Sequence, residues 1–176
     1  MNGIALGIDL GTSGVRAAIV DARSEALGFA SARLHPAARR DPAALWRAVG
    51  GALAGLGDLS AVGMVAADGT SGTLIAIDGA GRPAAPLSLY SNPADPARVR
   101  QIAAIAPAES AARGATSPLA RVLALQAAPS VTRVLHEADW ITGLRIPMKS
   151  AMHSNSKPAT DSDLKPAGYS DLMSAT

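Results

Sequence analysis

Two short stretches of the sequence carry the same polar residue types in the same order, each directly after an apolar run. The first reads DLGTSG at residues 9–14, and the second reads DGTSG at residues 68–72. Glycine lets the backbone approach a ligand closely, and successive N–H groups in a turn can face an anion. Hydroxyl groups can bind phosphate or sugar oxygens, and a carboxylate at a strand end can hold hydrated Mg²⁺. Both stretches therefore have the residue types of a phosphate or hydroxyl site.

Common nucleotide-loop patterns do not account for the first stretch. It lacks the Gly-Lys-Ser/Thr of a Walker loop, and its spacing does not fit the Gly-x-Gly-x-x-Gly dinucleotide pattern. A plain glycine hairpin is the alternative that these residues by themselves leave open. Because the pattern recurs in a second strand-rich segment, we expect two polar turns that flank one cleft.

Apolar runs and turn residues predict the elements that position the two turns. Strands are expected at residues 4–8, 15–20, 26–33, 60–66 and 73–77. Asp41 and Pro42 predict a helix start, with an N-cap followed by proline at the first helical position. Weaker helical patterns follow at residues 117–126 and 130–141. This order of strands and helices predicts an α/β domain with a mixed sheet and flanking helices.

Composition and charge narrow the classes of partner. Of the 176 residues 48% are hydrophobic and the net charge is +2, which allows a core but gives no concentrated basic surface for nucleic acid. The chain has no cysteine, which fits a reducing compartment. It shows no signal-peptide pattern and no apolar run long enough for a bilayer. We therefore expect a cytoplasmic protein without nucleic-acid or membrane partners.

Four stretches cover nearly the whole body of the chain in the order and spacing of one enzyme family. They are GIDLGTSGVRAAIVD at 7–21, ADGTSGTLIAIDGAGRPAAPLSLYSN at 67–92, SPLARVLALQ at 117–126 and VLHEADWITG at 134–143. This part of the chain resembles the FGGY carbohydrate kinases, most closely the ribulose- and xylulose-type members. The resemblance implies an incomplete N-terminal domain of the ribonuclease H-like fold, from the actin, hexokinase and sugar kinase superfamily. It also implies ATP and Mg²⁺ as cofactors and transfer of the γ-phosphate to a ketopentose such as D-ribulose or D-xylulose.

The resemblance implies roles for residues of the first turn. Gly11, Thr12 and Ser13 would face the phosphates of ATP. Arg16, on the following strand, would support that turn. Asp9 would lie close to the sugar or to Mg²⁺, which it would hold through water.

The second turn is implied to line the sugar pocket. Thr70 and Ser71 would contact the sugar, with Ser71 the better candidate for a hydrogen bond to a substrate hydroxyl. The alternative for Ser71 is a serine that only caps its turn. For Asp68, a substrate contact and a turn cap remain equally open.

Catalytic residues are not identifiable in this sequence. His136 and Asp139 are three residues apart, a spacing more typical of a surface pair than of a metal or proton-relay site, and Trp140 is interpreted as core. The family's catalytic aspartate cannot be placed. We also find no counterpart in these 176 residues of the family's C-terminal domain, which supplies the adenosine pocket. We therefore expect this chain alone to be inactive. The alternatives are a non-catalytic sugar-binding remnant and an actin-like ATP-binding module.

The last 33 residues differ in composition from the rest of the chain. All three lysines lie there, whereas every basic residue before them other than histidine is arginine. We expect a kinase-like domain at residues 1–143 and an unrelated, disordered tail at 144–176. After the segment at 134–143, relatives continue with segments like Asn-Ala-Leu and Thr-Gly-Tyr. Codons that encode the tail can also encode these segments in a shifted reading frame. Our hypothesis is a frameshift near residues 144–147, which would leave apolar faces uncovered and favour self-association.

Overall fold

The computed structural model of the chain describes residues 3–145, with side chains up to residue 143. The predicted tail at residues 144–176 therefore lies outside the described side chains. The strands within the described part are Ala5–Gly11 (β1), Gly14–Val20 (β2), Ala26–Arg33 (β3), Met64–Gly69 (β4), Leu74–Ile77 (β5) and Arg133–His136 (β6). The α-helices there are Pro42–Ala54 (α1), Pro96–Ala103 (α2), Pro118–Gln126 (α3) and Glu137–Trp140 (α4).

The main sheet is mixed and has the strand order β3-β2-β1-β4. Strand β2 pairs antiparallel with both β1 and β3, whereas β1 and β4 run parallel. A parallel pair requires a crossover connection, and α1 lies in that connection. The predicted mixed α/β architecture is confirmed.

One face of this sheet forms the core with α1. In β1 the side chains of Leu6, Ile8 and Leu10 alternate inward, as the period of two in a strand requires. They join a buried cluster that includes Leu45 and Val49 of α1. The residues between them, including Asp9, point to the opposite, exposed face. This alternation puts the Asp9 side chain outside the core.

Local signals fix the starts of α1 and α3 as expected. Asp41 caps α1 by accepting the Ala43 N–H at 2.9 Å, and Pro42 occupies the first turn. Ser117 caps α3 by accepting the Ala120 N–H at 3.2 Å. Within residues 3–145, no helix has the length and apolar character that crossing a membrane requires. Leu119 is 47% exposed on α3, and self-association through such faces stays a prediction.

The helix expected at residues 130–141 is wrong over most of its length. Arg133–His136 forms β6, which pairs antiparallel with β5, and the α-helical turn covers only Glu137–Trp140. Val134 and Leu135 lie opposite Ala76 and Ile75, so a non-local strand pairing overrides the local helical pattern. Trp140 is fully buried, which confirms its interpretation as core. The β5–β6 pairing places Glu137, the residue that follows β6, beside the second turn.

Candidate functional site

The two glycine turns lie side by side at the carboxyl ends of the parallel strands β1 and β4. Asp9 and Asp68 are register partners across this strand pair. Both the N–H and the hydroxyl of Thr70 donate to the Leu10 carbonyl, each at 3.3 Å. The structure therefore brings together the two stretches that the sequence singled out. Ligands of α/β sheets commonly bind at such carboxyl ends.

The first turn is the tip of the β1–β2 hairpin. Gly11 and Gly14 close the hairpin, and Thr12 and Ser13 stand exposed at its end. The Leu34 N–H donates to the Ser13 carbonyl at 3.0 Å, which ties the turn to the end of β3. Beside the turn, Arg16 and Asp9 form an ion pair at 2.9 Å, with both side chains about half exposed, 52% and 54%.

Thr12 and Ser13 line different cavities, although both were expected to face the same phosphates. Thr12 and Gly11 border a cavity of about 20 Å³. Thr70 of the second turn and Glu137, which lies next to that turn, border the same cavity. That volume suits a single water molecule. Ser13 borders a cavity of about 600 Å³ on the other side of the turn. The hairpin tip therefore borders two cavities of very different size.

The second turn is closed by its own backbone. The Thr73 N–H donates to the Thr70 carbonyl at 3.0 Å, and Gly72 has a φ of +79°, a conformation that favours glycine. The Asp68 carboxylate accepts the Gly69 N–H at 2.8 Å, a contact of the turn-cap kind, yet its side chain stays exposed. Ser71 is exposed at the turn's end, where a ligand hydroxyl can reach it.

Arg121 of α3 holds the second turn from one side. Its guanidinium is buried, and Nη2 donates to the Gly72 carbonyl at 2.7 Å. Nη1 donates to the carbonyls of Ser88 and Leu89 at 3.0 and 2.9 Å. Desolvation lowers the pKa of Arg121, but arginine remains charged at neutral pH. Nε also donates to the Thr116 carbonyl at 3.4 Å, so one buried cation contacts four backbone carbonyls.

Glu137 holds the second turn from the other side. The side chain is only 6% exposed, and Oε1 accepts the Thr70 N–H at 2.8 Å. Gly69 provides the space, because a Cβ there would come within 2.9 Å of Glu137 Cγ. Burial raises the pKa of Glu137 to about 7; the Thr70 hydrogen bond opposes this rise, and the negative charge of Asp9 adds to it.

Neither buried charge was predicted as part of the site. Arg121 stands beside Ala120, on the buried face of an otherwise apolar helix. Glu137 follows His136, the last residue of β6, so its sequence neighbours gave no such signal. For Arg121, a charged residue inside an apolar pattern is the one signal that the sequence offered, because such residues are rarely buried without a partner. His136 and Asp139, by contrast, are both exposed.

The donor set near Asp9 limits which metal site this part of the chain can form. Among residues 3–145 no group of three histidine, cysteine or carboxylate side chains could hold a metal ion. Asp9 and Asp68 are exposed neighbours on adjacent strands. Mg²⁺ that retains several water ligands and is also bound by nucleotide phosphates needs only one or two carboxylates from the protein. The residues therefore fit Mg²⁺ bound through water together with a phosphate ligand.

Solved structures of sugar kinases share this fold. The xylulose kinase from Rhodospirillum rubrum matches with a TM-score of 0.63 at 19% identity, over 80% of this chain and 34% of that one. The xylulose kinase from Bifidobacterium adolescentis matches with a TM-score of 0.60 at 20% identity, over 80% and 33%. A gluconate kinase from Lactobacillus acidophilus matches with a TM-score of 0.56 at 13% identity, over 78% and 32%.

These comparisons confirm the predicted fold class. The mixed sheet and its helices are those of sugar kinases with the actin/hexokinase-like fold. No family model matches the chain. The chain spans about a third of the length of these neighbours.

Proposed function

We propose that this chain supplies the N-terminal part of an ATP-dependent carbohydrate kinase that phosphorylates a hydroxyl of a ketopentose such as D-ribulose or D-xylulose. In this proposal residues 1–143 are the kinase-like domain. The observation that carries it is the adjacency of the two glycine turns at the ends of β1 and β4, joined through Thr70 and the Leu10 carbonyl. The xylulose kinases among the structural neighbours support the substrate class.

Each turn has a separate task in this proposal. Gly11, Thr12 and Ser13 offer backbone N–H groups and hydroxyls to the phosphates of ATP, and Arg16 adds a positive charge beside them. Asp9 holds a water ligand of Mg²⁺, which would neutralise phosphate charge when bound.

The second turn binds the sugar in this proposal. Ser71 is exposed and donates to or accepts from a sugar hydroxyl, and the half-buried Thr70 precedes it in the turn. Asp68 is exposed beside them and can accept a further hydroxyl hydrogen bond through its second oxygen. No residue is assigned as the catalytic base, so we expect this chain alone to bind sugar without turning over ATP.

Binding to the chain tests this proposal directly. In ¹H–¹⁵N NMR spectra we expect D-ribulose or D-xylulose to shift the amides of Thr70 and Ser71, and MgATP to shift those of Gly11 and Thr12. Ser71→Ala should weaken sugar binding by about tenfold, the value of one hydrogen bond. The matched control is Ser130→Ala, because Ser130 is also exposed but lies in a distant loop.

The outcomes separate the competing functions. Shifts with MgATP but with no sugar would contradict the sugar pocket and favour the ATP-binding module. Sugar binding without any effect of MgATP would favour the non-catalytic sugar-binding alternative. ATP turnover is measured in parallel across a panel of ketopentoses. Turnover by this chain would contradict our expectation that it has no catalytic base.

A further inference from the structure

The face of the main sheet that lies opposite α1 is exposed and largely apolar. In β3 the side chains of Leu27 and Phe29 are 57% and 66% exposed, and in β4 Met64 is 61% exposed. The alternate residues of β3, such as Ala30 and Ala32, point to the α1 side. We call the exposed side the outer face. Monomeric proteins rarely expose a large contiguous apolar patch without a function for it.

Register partners on the outer face form three rows across the sheet, each read in the order β3, β2, β1, β4. The first row is Ala26, Val20, Ala5 and Met64, with the bulge residue Leu27 beside it. The second row is Phe29, Ala18, Gly7 and Ala66. The third row is Ser31, Arg16, Asp9 and Asp68. Two rows are therefore apolar, and the third is polar and charged.

The second row combines one large residue with a groove. Phe29 stands at the β3 edge of the sheet, whereas Ala18, Gly7 and Ala66 on the other three strands are small. A cavity of about 440 Å³ lies over these small residues, and Phe29 borders it. An aromatic ring from outside the chain can therefore enter the groove.

A second copy of the chain presents such a ring. A twofold axis that runs parallel to the strands, between β1 and β2, reverses each row onto itself. Phe29 of one copy then lies over Ala66 of the other, and Leu27 lies over Met64. Sheets that pack face to face keep their strands within about 30° of each other, so the rows stay matched near the axis. The outer face is thus complementary to itself in size.

The third row makes this orientation the favoured one. With the axis parallel to the strands, Arg16 of one copy faces Asp9 of the other, so opposite charges meet. An axis perpendicular to the strands would instead lay the charged row on the apolar first row. Burying charges against apolar side chains is costly. Charge and size therefore favour the same arrangement.

We propose that the outer face binds a second copy of this chain, in a face-to-face dimer whose twofold axis runs parallel to the strands. The inference rests on register, exposure and charge, and it does not require kinase activity. Four strands and three rows span about 19 Å by 20 Å. A contact of this size is small for a stable complex, so we expect a dissociation constant in the micromolar range.

Sedimentation velocity of the full chain over a range of concentrations tests the proposal. We expect a monomer–dimer equilibrium. Phe29→Thr removes the ring but keeps a residue that suits a strand, and it should raise the dissociation constant at least about tenfold. Ala66→Lys puts a charge into the groove and should have a similar effect. The control Leu119→Ser changes an exposed apolar residue on α3 and should change the dissociation constant less than about twofold.

Cross-linking tests the orientation of the two copies. The chain has no cysteine, so Phe29→Cys and Ala66→Cys each introduce a single thiol, and any link must join two copies. A short bismaleimide should link an equimolar mixture of the two variants more efficiently than either variant alone. In the proposed dimer positions 29 and 66 of different copies face each other, whereas the two copies of position 29 lie at opposite edges.

Three results would overturn the proposal. One is a parent chain that stays monomeric at all concentrations, whatever else covers the outer face. Another is undiminished dimerisation in both Phe29→Thr and Ala66→Lys. The third is cross-linking that is strongest in Phe29→Cys alone, which would indicate that two β3 edges pair side by side. Sugar and nucleotide binding at the two turns are measured separately, so failure of the dimer leaves the proposed function standing, and the reverse also holds.

Discussion

The first turn, residues 11–14, is held by backbone contacts within its hairpin and to the end of β3, whereas the second turn, residues 69–72, is also held by two buried ionisable side chains from distant elements. In the first, Gly11 pairs with Gly14, and a Cβ at Gly14 would overlap the Ala32 carbonyl oxygen of the neighbouring strand. In the second, Arg121 binds Gly72 from 49 residues away, and Glu137 binds Thr70 from 67 residues away.

The two turns have similar sequences but are stabilised by different contacts. A hairpin tip needs only glycine conformations and strand pairing, which are local. A turn fixed by buried charges depends on desolvated groups, whose loss leaves their partners unsatisfied. We infer that the second turn is the more sensitive of the two to substitution of distant residues and to pH.

The largest effect should come from Arg121→Met. The substitution leaves the Gly72 carbonyl without its donor and removes one of two donors from the carbonyls of Ser88 and Leu89. We expect a loss of about 3–5 kcal/mol in the free energy of unfolding, because three charge-assisted hydrogen bonds are lost from a buried site. Urea denaturation measures the loss. Arg121→Lys keeps one charge-assisted hydrogen bond, so its free energy of unfolding should lie between those of the parent and Arg121→Met.

The control for Arg121 is another arginine on a helix. Arg100 of α2 is exposed, and Arg100→Met should change the free energy of unfolding by less than about 0.5 kcal/mol. If Arg121→Met were as mild as this control, the second turn would not depend on its buried cation. The contrast between the two turns would then fail.

The next effect is a pH dependence that belongs to Glu137. Its folded pKa is raised from 4.5 to about 7, so the folded state holds a proton that the unfolded state releases. Stability therefore falls as the pH rises from 4.5 to 7, by at most about 3 kcal/mol, and is constant above that range. Asp9 and Arg39 are the charged groups that share its surroundings, and Asp9 raises its pKa further.

Glu137→Gln should remove this pH dependence. The amide oxygen still accepts the Thr70 N–H but carries no proton to lose, so the variant should be more stable than the parent at pH 8 and similar at pH 4.5. Thermal unfolding at both pH values measures this. Glu109→Gln, at an exposed carboxylate, should retain the parent's pH dependence. An unchanged slope in Glu137→Gln would assign the titration to another group.

The same contrast explains how much of the site could be predicted. The glycine turns and the strands around them follow from nearby residues, so their existence was predicted correctly, although the strand expected at 60–66 lies at Met64–Gly69. The Asp41 cap and Pro42 are equally local. The parallel pairing of β1 with β4 was not predicted, although a helix between two strands allows such a pair.

The buried anchors could not be predicted because their partners are far away in sequence. Nothing near Glu137 indicates that Thr70 will supply a hydrogen bond, and the pattern at 130–141 fits a helix until β5 is known to be its neighbour. The helix Pro96–Ala103 was also missed; it begins with an Asp95 cap and Pro96, signals that the sequence did contain.

The smallest effect on stability should come from Asp9→Asn at the first turn. The Asp9–Arg16 ion pair is about half exposed, and such pairs contribute about 0–1 kcal/mol. We expect a change below about 0.5 kcal/mol in the free energy of unfolding by urea, although Mg²⁺-dependent ATP binding should weaken if the proposed role holds. Removing the Asp9 charge should also lower the pKa of Glu137 slightly, because that charge raises it. A large loss of stability would show that the first turn, too, relies on charged anchors, since its backbone contacts are unchanged in this variant.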